Sequence, residues 1–109
     1  VNNVAAFIQT LPSIKPIVTI SSGDSQTGHG YFVTCGACHG AKGEGNIALN
    51  APALVGMNDW YMKRQLSNFK QGIRGSHKKD TNGSQMMLMA RLLSDEQAVD
   101  DLLTYVNSL

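Results

Sequence analysis

An all-α domain is the fold class this sequence predicts, and three observations carry it. Apolar residues recur at three- and four-residue spacing in separate segments, cap-type residues precede the later segments, and no paired alternating runs support a sheet. The first segment, residues 1–11, places Val1, Val4, Phe7, Ile8 and Leu11 on one helical stripe. Pro12 stops it, and Pro16 followed by Ile17-Val18-Thr19-Ile20 predicts an extended connector. Ser22-Gly23-Asp24 offers caps for a second helix of about a dozen residues running into Cys35, which Gly28 and Gly30 weaken unless they pack closely against another helix. Gly40, Gly43, Gly45, Pro52 and Gly56 make 40–56 a loop. Asn58 or Asp59 caps a third helix with Trp60, Met62, Leu66 and Phe69 on its apolar side and Gly72 as its stop. Residues 73–85 read as a polar loop, and Ser94-Asp95-Glu96-Gln97 reads as a capping box, Ser94 at the cap, opening a last helix to Leu109. Three main helices and one extra N-terminal helix result.

With 109 residues, 42% of them apolar, the chain amounts to one small domain. Only 6% is aromatic, and a core so poor in large side chains is easier to build around a bulky apolar group. The net charge of +1 gives no global signal for nucleic acid or a membrane surface. Six of the nine basic residues nevertheless fall between Lys63 and Lys79, and four of the eight acids between Asp95 and Asp101. This is either two solvated helix faces or a dipole that orients docking with a charged partner. No apolar run is long enough to span a membrane, and no signal peptide is visible.

Cys35-Gly36-Ala37-Cys38-His39 holds the only two cysteines. Cys-x-x-Cys-His is the spacing at which two thiols add to the vinyl groups of one haem while the adjacent imidazole ligates its iron. Cys-x-x-Cys also occurs in redox dithiols, in zinc sites and as a disulfide. A zinc site needs four ligands, and beyond this run the chain offers only His29 and His77. A thioredoxin-like dithiol belongs in a β-α-β pattern, whereas the flanks here are Gly-rich and helical.

Residues 1–11 and 99–109 are alike: Val1/Val99, Val4/Leu102, Phe7/Tyr105, Ile8/Val106 and Leu11/Leu109 pair at one fixed offset. The repeat predicts that 1–11 is the end of a preceding homologous domain, 12–21 a linker, and 22–109 the domain proper. The plainer alternative is an N-terminal amphipathic helix that packs on this domain, its likeness to 99–109 a chance recurrence.

Residues 22–109 resemble a bacterial class I cytochrome c, most closely the diheme and small periplasmic members. Besides Cys-x-x-Cys-His-Gly at 35–40, the resemblance rests on Gly-Glu-Gly at 43–45, Ala-Pro-Ala-Leu-Val-Gly at 51–56, the segment from Tyr61 to Gly75, and Met-x-x-Met-Ala-x-x-Leu-Ser-Asp at 86–95. It implies one covalent haem c held by Cys35 and Cys38, with His39 as proximal ligand. It implies a methionine before the last helix as distal ligand, and the position eight residues before the capping Ser94 is Met86; Met87, Met89 and the imidazole of His77 compete. By the same resemblance the Pro52 carbonyl accepts a hydrogen bond from the proximal imidazole, and Trp60, Tyr61 and Arg74 lie near the haem propionates. Pro52 also reads as a turn proline, and those three as packing or surface charge.

The implied function is one-electron transfer, without enzyme activity, through a His/Met-ligated iron with no open position. The end repeat favours a domain of a larger diheme cytochrome or an electron-entry subunit of an oxidase. Redox proteins such as a quinol-oxidising complex and a terminal oxidase are the implied partners, with no nucleic acid, and the periplasm or periplasmic face of a bacterial membrane is the implied location. A haem sensor or peroxidase-like protein with a dissociable distal ligand is the alternative, for which His77 and Arg74 are the only distal pair on offer.

Overall fold

The computed structural model describes residues 2–109. Five α-helices follow in order, α1 Asn2–Thr10, α2 Ser25–His39, α3 Asp59–Lys70, α4 Thr81–Ala90 and α5 Glu96–Val106, with a short 3-10 turn at Ile47–Leu49. Among the described residues no strand forms, and one isolated bridge pairs Asn46 with Ala51. Among the described residues no helix is long and apolar enough to cross a membrane.

The core is the crossing of α2 and α5, with α3 closing one side. Phe32, Met62, Leu93, Ala98, Val99, Leu102, Leu103 and Val106 form one buried cluster. Gly28 permits the crossing. A Cβ at this position would overlap the Asp101 carbonyl oxygen and lie 2.9 Å from Tyr105 Cβ, so only a hydrogen fits between the two backbones. The ring of Tyr105 covers the site, with centroids 5.2 Å from Phe32 and 5.0 Å from His29. Gly30, by contrast, has no neighbour within 4 Å of where its Cβ would stand, so close packing explains Gly28 alone.

Helix α2 runs to His39 rather than stopping at Cys35, and so carries both thiols and the imidazole on one rigid element. Its cap is Asp24, whose side chain accepts from Thr27 N. The expected loop at 73–85 is corrected in its second half, where α4 begins at Thr81 with the Asp80 carboxylate accepting from Gly83 N. The Met-Met-Leu-Met-Ala run consists of good helix formers, and they outweigh the penalty of Gly83. The capping box at Ser94 is also displaced by one residue. Asp95 is the cap of α5 and accepts from Ala98 N at 2.8 Å, while Gln97 turns to Asp101. A carboxylate beside the helix N-terminus gains from the macrodipole as well as the hydrogen bond, which favours Asp95 over the Ser94 hydroxyl.

Asn58 holds the cap position of α3, without a side-chain cap bond, and Asp59 is the first helical residue rather than the cap. Its side chain, 1% exposed, accepts from Thr19 N, Thr19 Oγ1 and Ile20 N at 2.7, 2.5 and 2.8 Å, and from Asn107 Nδ2 at 2.9 Å. Burial works against its charge, yet these donors outweigh it and hold the carboxyl well below the usual carboxylate range. An acid whose folded value is depressed stabilises the fold above its unfolded value near 3.9, and that contribution is lost as pH falls further. Asp59→Asn is therefore expected to cost about 1–3 kcal/mol at pH 7 and less as the pH falls below about 4, because the wild type loses its advantage there. Urea unfolding of both proteins between pH 3 and 7 checks this; a difference that stays constant over that range contradicts it.

Helix α1 packs on nothing. All its residues are exposed, with Val4, Phe7 and Ile8 between 58% and 63%, and Leu11 just beyond it is 52% exposed. Of their four partners in the end repeat, Leu102 and Val106 are buried in the core, Tyr105 is half-buried and Leu109 is exposed. Val1 lies outside the described residues.

Candidate haem site

Cys35 and Cys38 stand three residues apart at the C-terminal end of α2, which brings their side chains to one face. Both are free thiols, Cys35 half-buried and Cys38 exposed. Burial pushes the Cys35 thiol up; a backbone hydrogen bond partly opposes this, and the neighbouring Cys38 adds a little to it. The C-terminal end of a helix also disfavours a thiolate. A redox dithiol needs the opposite, a thiol lowered by a helix N-terminus or a nearby cation, so the pair is poorly placed for disulfide exchange. Nor do three His, Cys, Asp or Glu side chains converge anywhere among the described residues into a metal cage, which leaves the zinc reading without ligands.

His39 is 7% exposed and its ring is fixed by one bond, Nδ1 to the Pro52 carbonyl at 2.8 Å. A carbonyl only accepts, so the proton is assigned to Nδ1 and the lone pair to Nε2. Among the described residues Nε2 makes no hydrogen bond, and it is the atom free to ligate. The loop that delivers Pro52 is folded for this purpose. Gly45 N donates to the His39 carbonyl at 2.6 Å, and Asn46 and Ala51 exchange hydrogen bonds at 2.8 and 3.0 Å, which reverses the chain so that Pro52 returns beside α2. Gly45 has φ +86°, and a Cβ there would stand 2.7 Å from Ala53 N, so the reversal needs glycine on both counts.

The three candidate methionines lie on α4, a helix rather than the expected loop. Met86 and Met87 are half-buried and Met89 is 42% exposed. Ala90, buried at 1%, marks the inward side of α4, and Met86 and Met87, four and three residues before it, both lie toward that side, whereas Met89 does not. Trp60 and Tyr61 touch edge to face at 6.1 Å and are 54% and 39% exposed. Arg74 is engaged by its own neighbours: its guanidinium lies 4.6 Å over the Phe69 ring, and Nη1 donates to Gln65. His77 is exposed, with Nδ1 accepting from Lys79 N, and His29 leans on Tyr105. No contact joins His77 to Arg74 as a distal pair.

The donor set, two unpaired thiols and a buried imidazole with its second nitrogen presented, fits covalent haem and a single iron ligand. Comparison with known proteins decides the family. The sequence profile of cytochrome c matches residues 25–109. The chain belongs to the cytochrome c family. Its cofactor is haem c, and Cys35 and Cys38 sit at the attachment spacing.

This cytochrome c domain is 31% identical over 90 residues to cytochrome c4 of Stutzerimonas stutzeri, covering 81% of the chain and 42% of the relative. It is 34% identical over 87 residues to cytochrome c-554(548) of Halomonas halodenitrificans, covering 80% of the chain and 98% of that protein. A thiosulfate dehydrogenase electron acceptor of Thiomonas intermedia is 41% identical over 76 residues, covering 70% of the chain and 31% of that protein. The chain thus spans about two fifths of the length of the cytochrome c4 relatives it matches. These likenesses make it a bacterial class I cytochrome c of all-α fold that resembles the diheme members, and electron transport is the chemistry of that group.

The uneven charge noted in the sequence has a local explanation for its acidic half. Asp95 caps α5, Glu96 and Asp100 pair with Lys63 at 2.8 and 2.7 Å, and Asp101 accepts from Asp24 N and Gln97. All four acids are engaged within the domain, which favours the solvated-face reading over a docking dipole.

Proposed function

We propose that this domain is a one-electron carrier whose iron is ligated by His39 and Met86, and that it works as one domain of a larger diheme cytochrome or as an oxidase electron-entry subunit. The observation that carries the ligation is the fixed imidazole: Pro52 holds Nδ1, so Nε2 is presented in one orientation by a rigid helix end. Cys35 and Cys38, on the same helix, anchor the ring beside it. Met86, on the inward side of α4, would hold the iron opposite the thiol-bearing helix and so leave it no position for substrate. The bound haem supplies the redox couple, and its His/Met ligand pair places that couple at relatively high potential. The protein contributes a rigid shell, since α2, α5 and the 40–53 loop are tied together and need not move on electron transfer.

The larger-protein reading rests on α1. Its stripe of Val4, Phe7, Ile8 and Leu11 matches Leu102, Tyr105, Val106 and Leu109, of which Leu102 and Val106 are buried in the core that α2 shares, so the surface that complements it is a second helix of α2 type. Residues 1–11 then end a preceding cytochrome c domain, 12–21 link, and 22–109 form the present domain. Haem attachment places such a protein in the periplasm or on the periplasmic face of a bacterial membrane, with redox proteins such as a quinol-oxidising complex and a terminal oxidase as partners. Ferrous protein exposed to carbon monoxide tests the closed iron: an unchanged spectrum is expected, and a shifted one replaces the carrier with a sensor or peroxidase-like protein.

A further inference from the structure

The connector between α1 and α2 was expected to be a linker, and half of it is instead bolted to the domain. The clamp is drawn from both ends of the fold. Besides its bonds to Thr19 and Ile20, Asp59 shares Asn107, whose Nδ2 also donates to the Ile20 carbonyl at 3.0 Å. Four residues on, Gly23 N donates to Thr104 Oγ1 at 3.1 Å and Asp24 N to Asp101 Oδ1 at 2.7 Å. The Ile20 side chain packs on the hydrophobic core. Upstream of the clamp the character changes. Ser13 to Val18 stand off the domain and bound an open groove of about 450 Å³ against Leu54, Val55, Val106 and Leu109. That stretch has no side-chain hydrogen bonds of its own, but Pro12 and Pro16 stiffen it by fixing φ.

We propose that Asp59 is a positioning residue: by pinning Thr19 and Ile20 to the start of α3 and the end of α5, it fixes where the connector leaves the haem domain and so sets the orientation of α1. The pin is one carboxylate serving three donors of the connector, so its loss frees Thr19 and Ile20 together while the Gly23 and Asp24 bonds keep α2 in place. Where a second haem domain ends in α1, which rests on the reading above, Asp59 thereby governs the separation and orientation of the two redox centres. The clamp itself belongs to this domain whatever precedes α1.

Spin labels at Gln9→Cys and Asn82→Cys, both exposed and both chemically distinct from haem-bound Cys35 and Cys38, report the α1 orientation by pulsed dipolar spectroscopy on the reduced haem protein. A single narrow distance is expected, broadening in Asp59→Asn. Amide exchange in the same variant is expected to accelerate about 10- to 100-fold more at Thr19 and Ile20 than at Leu102 and Leu103 of α5, whose acceleration reports only the global loss of stability. Thr19→Val, which removes only the hydroxyl bond, gives a smaller effect in the same direction and serves if Asp59→Asn fails to mature. Equal distance widths with and without the carboxylate overturn the proposal. So does acceleration that spreads equally to α5, because Asp59 would then be a general stability residue. A narrow distance with no second haem domain upstream would leave the clamp standing and overturn only the diheme reading.

Discussion

Gly28→Ala is expected to be among the most damaging single-atom additions to this domain. The new Cβ overlaps the Asp101 carbonyl, and neither backbone yields cheaply because Asp101 is held by Asp24 N and Gln97. Helices α2 and α5 must separate, which loosens Phe32 from Leu102 and Val106 and tilts the helix that carries Cys35, Cys38 and His39. Overpacking of this kind costs about 3 kcal/mol, at the upper end for one methyl group. For a domain of this size the Tm falls by roughly 15 °C. Gly30→Ala is the control, since nothing lies within 4 Å of its Cβ position and the added methyl favours helix by about 1 kcal/mol. Thermal unfolding followed by far-UV circular dichroism checks both. Equal stability of the two variants would mean that the crossing does not depend on Gly28.

Met86→Ala is expected to keep its haem and change its iron. Attachment depends on Cys35 and Cys38, which the substitution leaves alone, whereas loss of the thioether opens one axial position. The variant should bind carbon monoxide in the ferrous state and lose the weak red sulfur-to-iron band. Its reduction potential should fall by on the order of 0.1 V, within the roughly 0.8 V range that axial ligands span. Met87→Ala and Met89→Ala should stay low-spin and indifferent to carbon monoxide. If Met89→Ala opens the iron instead, the ligand is the exposed methionine and α4 must turn toward the haem; if Met87→Ala does so, the ligand is its half-buried neighbour.

The parts of the site that were legible in the sequence are those carried by contiguous residues. Cys-x-x-Cys-His needs only its own spacing on one helix, so it could be read directly, and so could the helix periodicity of α3 and α5. Pro52 came from family resemblance, and its carbonyl does accept from His39 Nδ1. Helix α4 was hidden because Asp80 to Gly83 reads as turn chemistry, although the same Asp80 is its cap and the Met-rich run is a strong helix former. Asp59 was misread for a related reason. An acid at the start of a helix reads as a cap, and nothing local tells that its partners are Thr19, Ile20 and Asn107, some 40 and 48 residues away. Gly28 and Gly30 look alike in sequence and differ only in what stands opposite them, which periodicity cannot report.

The central claim is that His39 and Met86 hold a covalently attached, closed haem iron, and the visible absorption spectrum of the ferric and ferrous protein tests it most directly. Expression should be alongside haem-attachment machinery. The account predicts a low-spin spectrum that survives acid extraction of non-covalent haem, shows the red sulfur-to-iron band when oxidised, and does not respond to carbon monoxide. A high-spin spectrum or a carbon monoxide shift would contradict the closed iron, and the absence of any haem band would contradict the whole assignment.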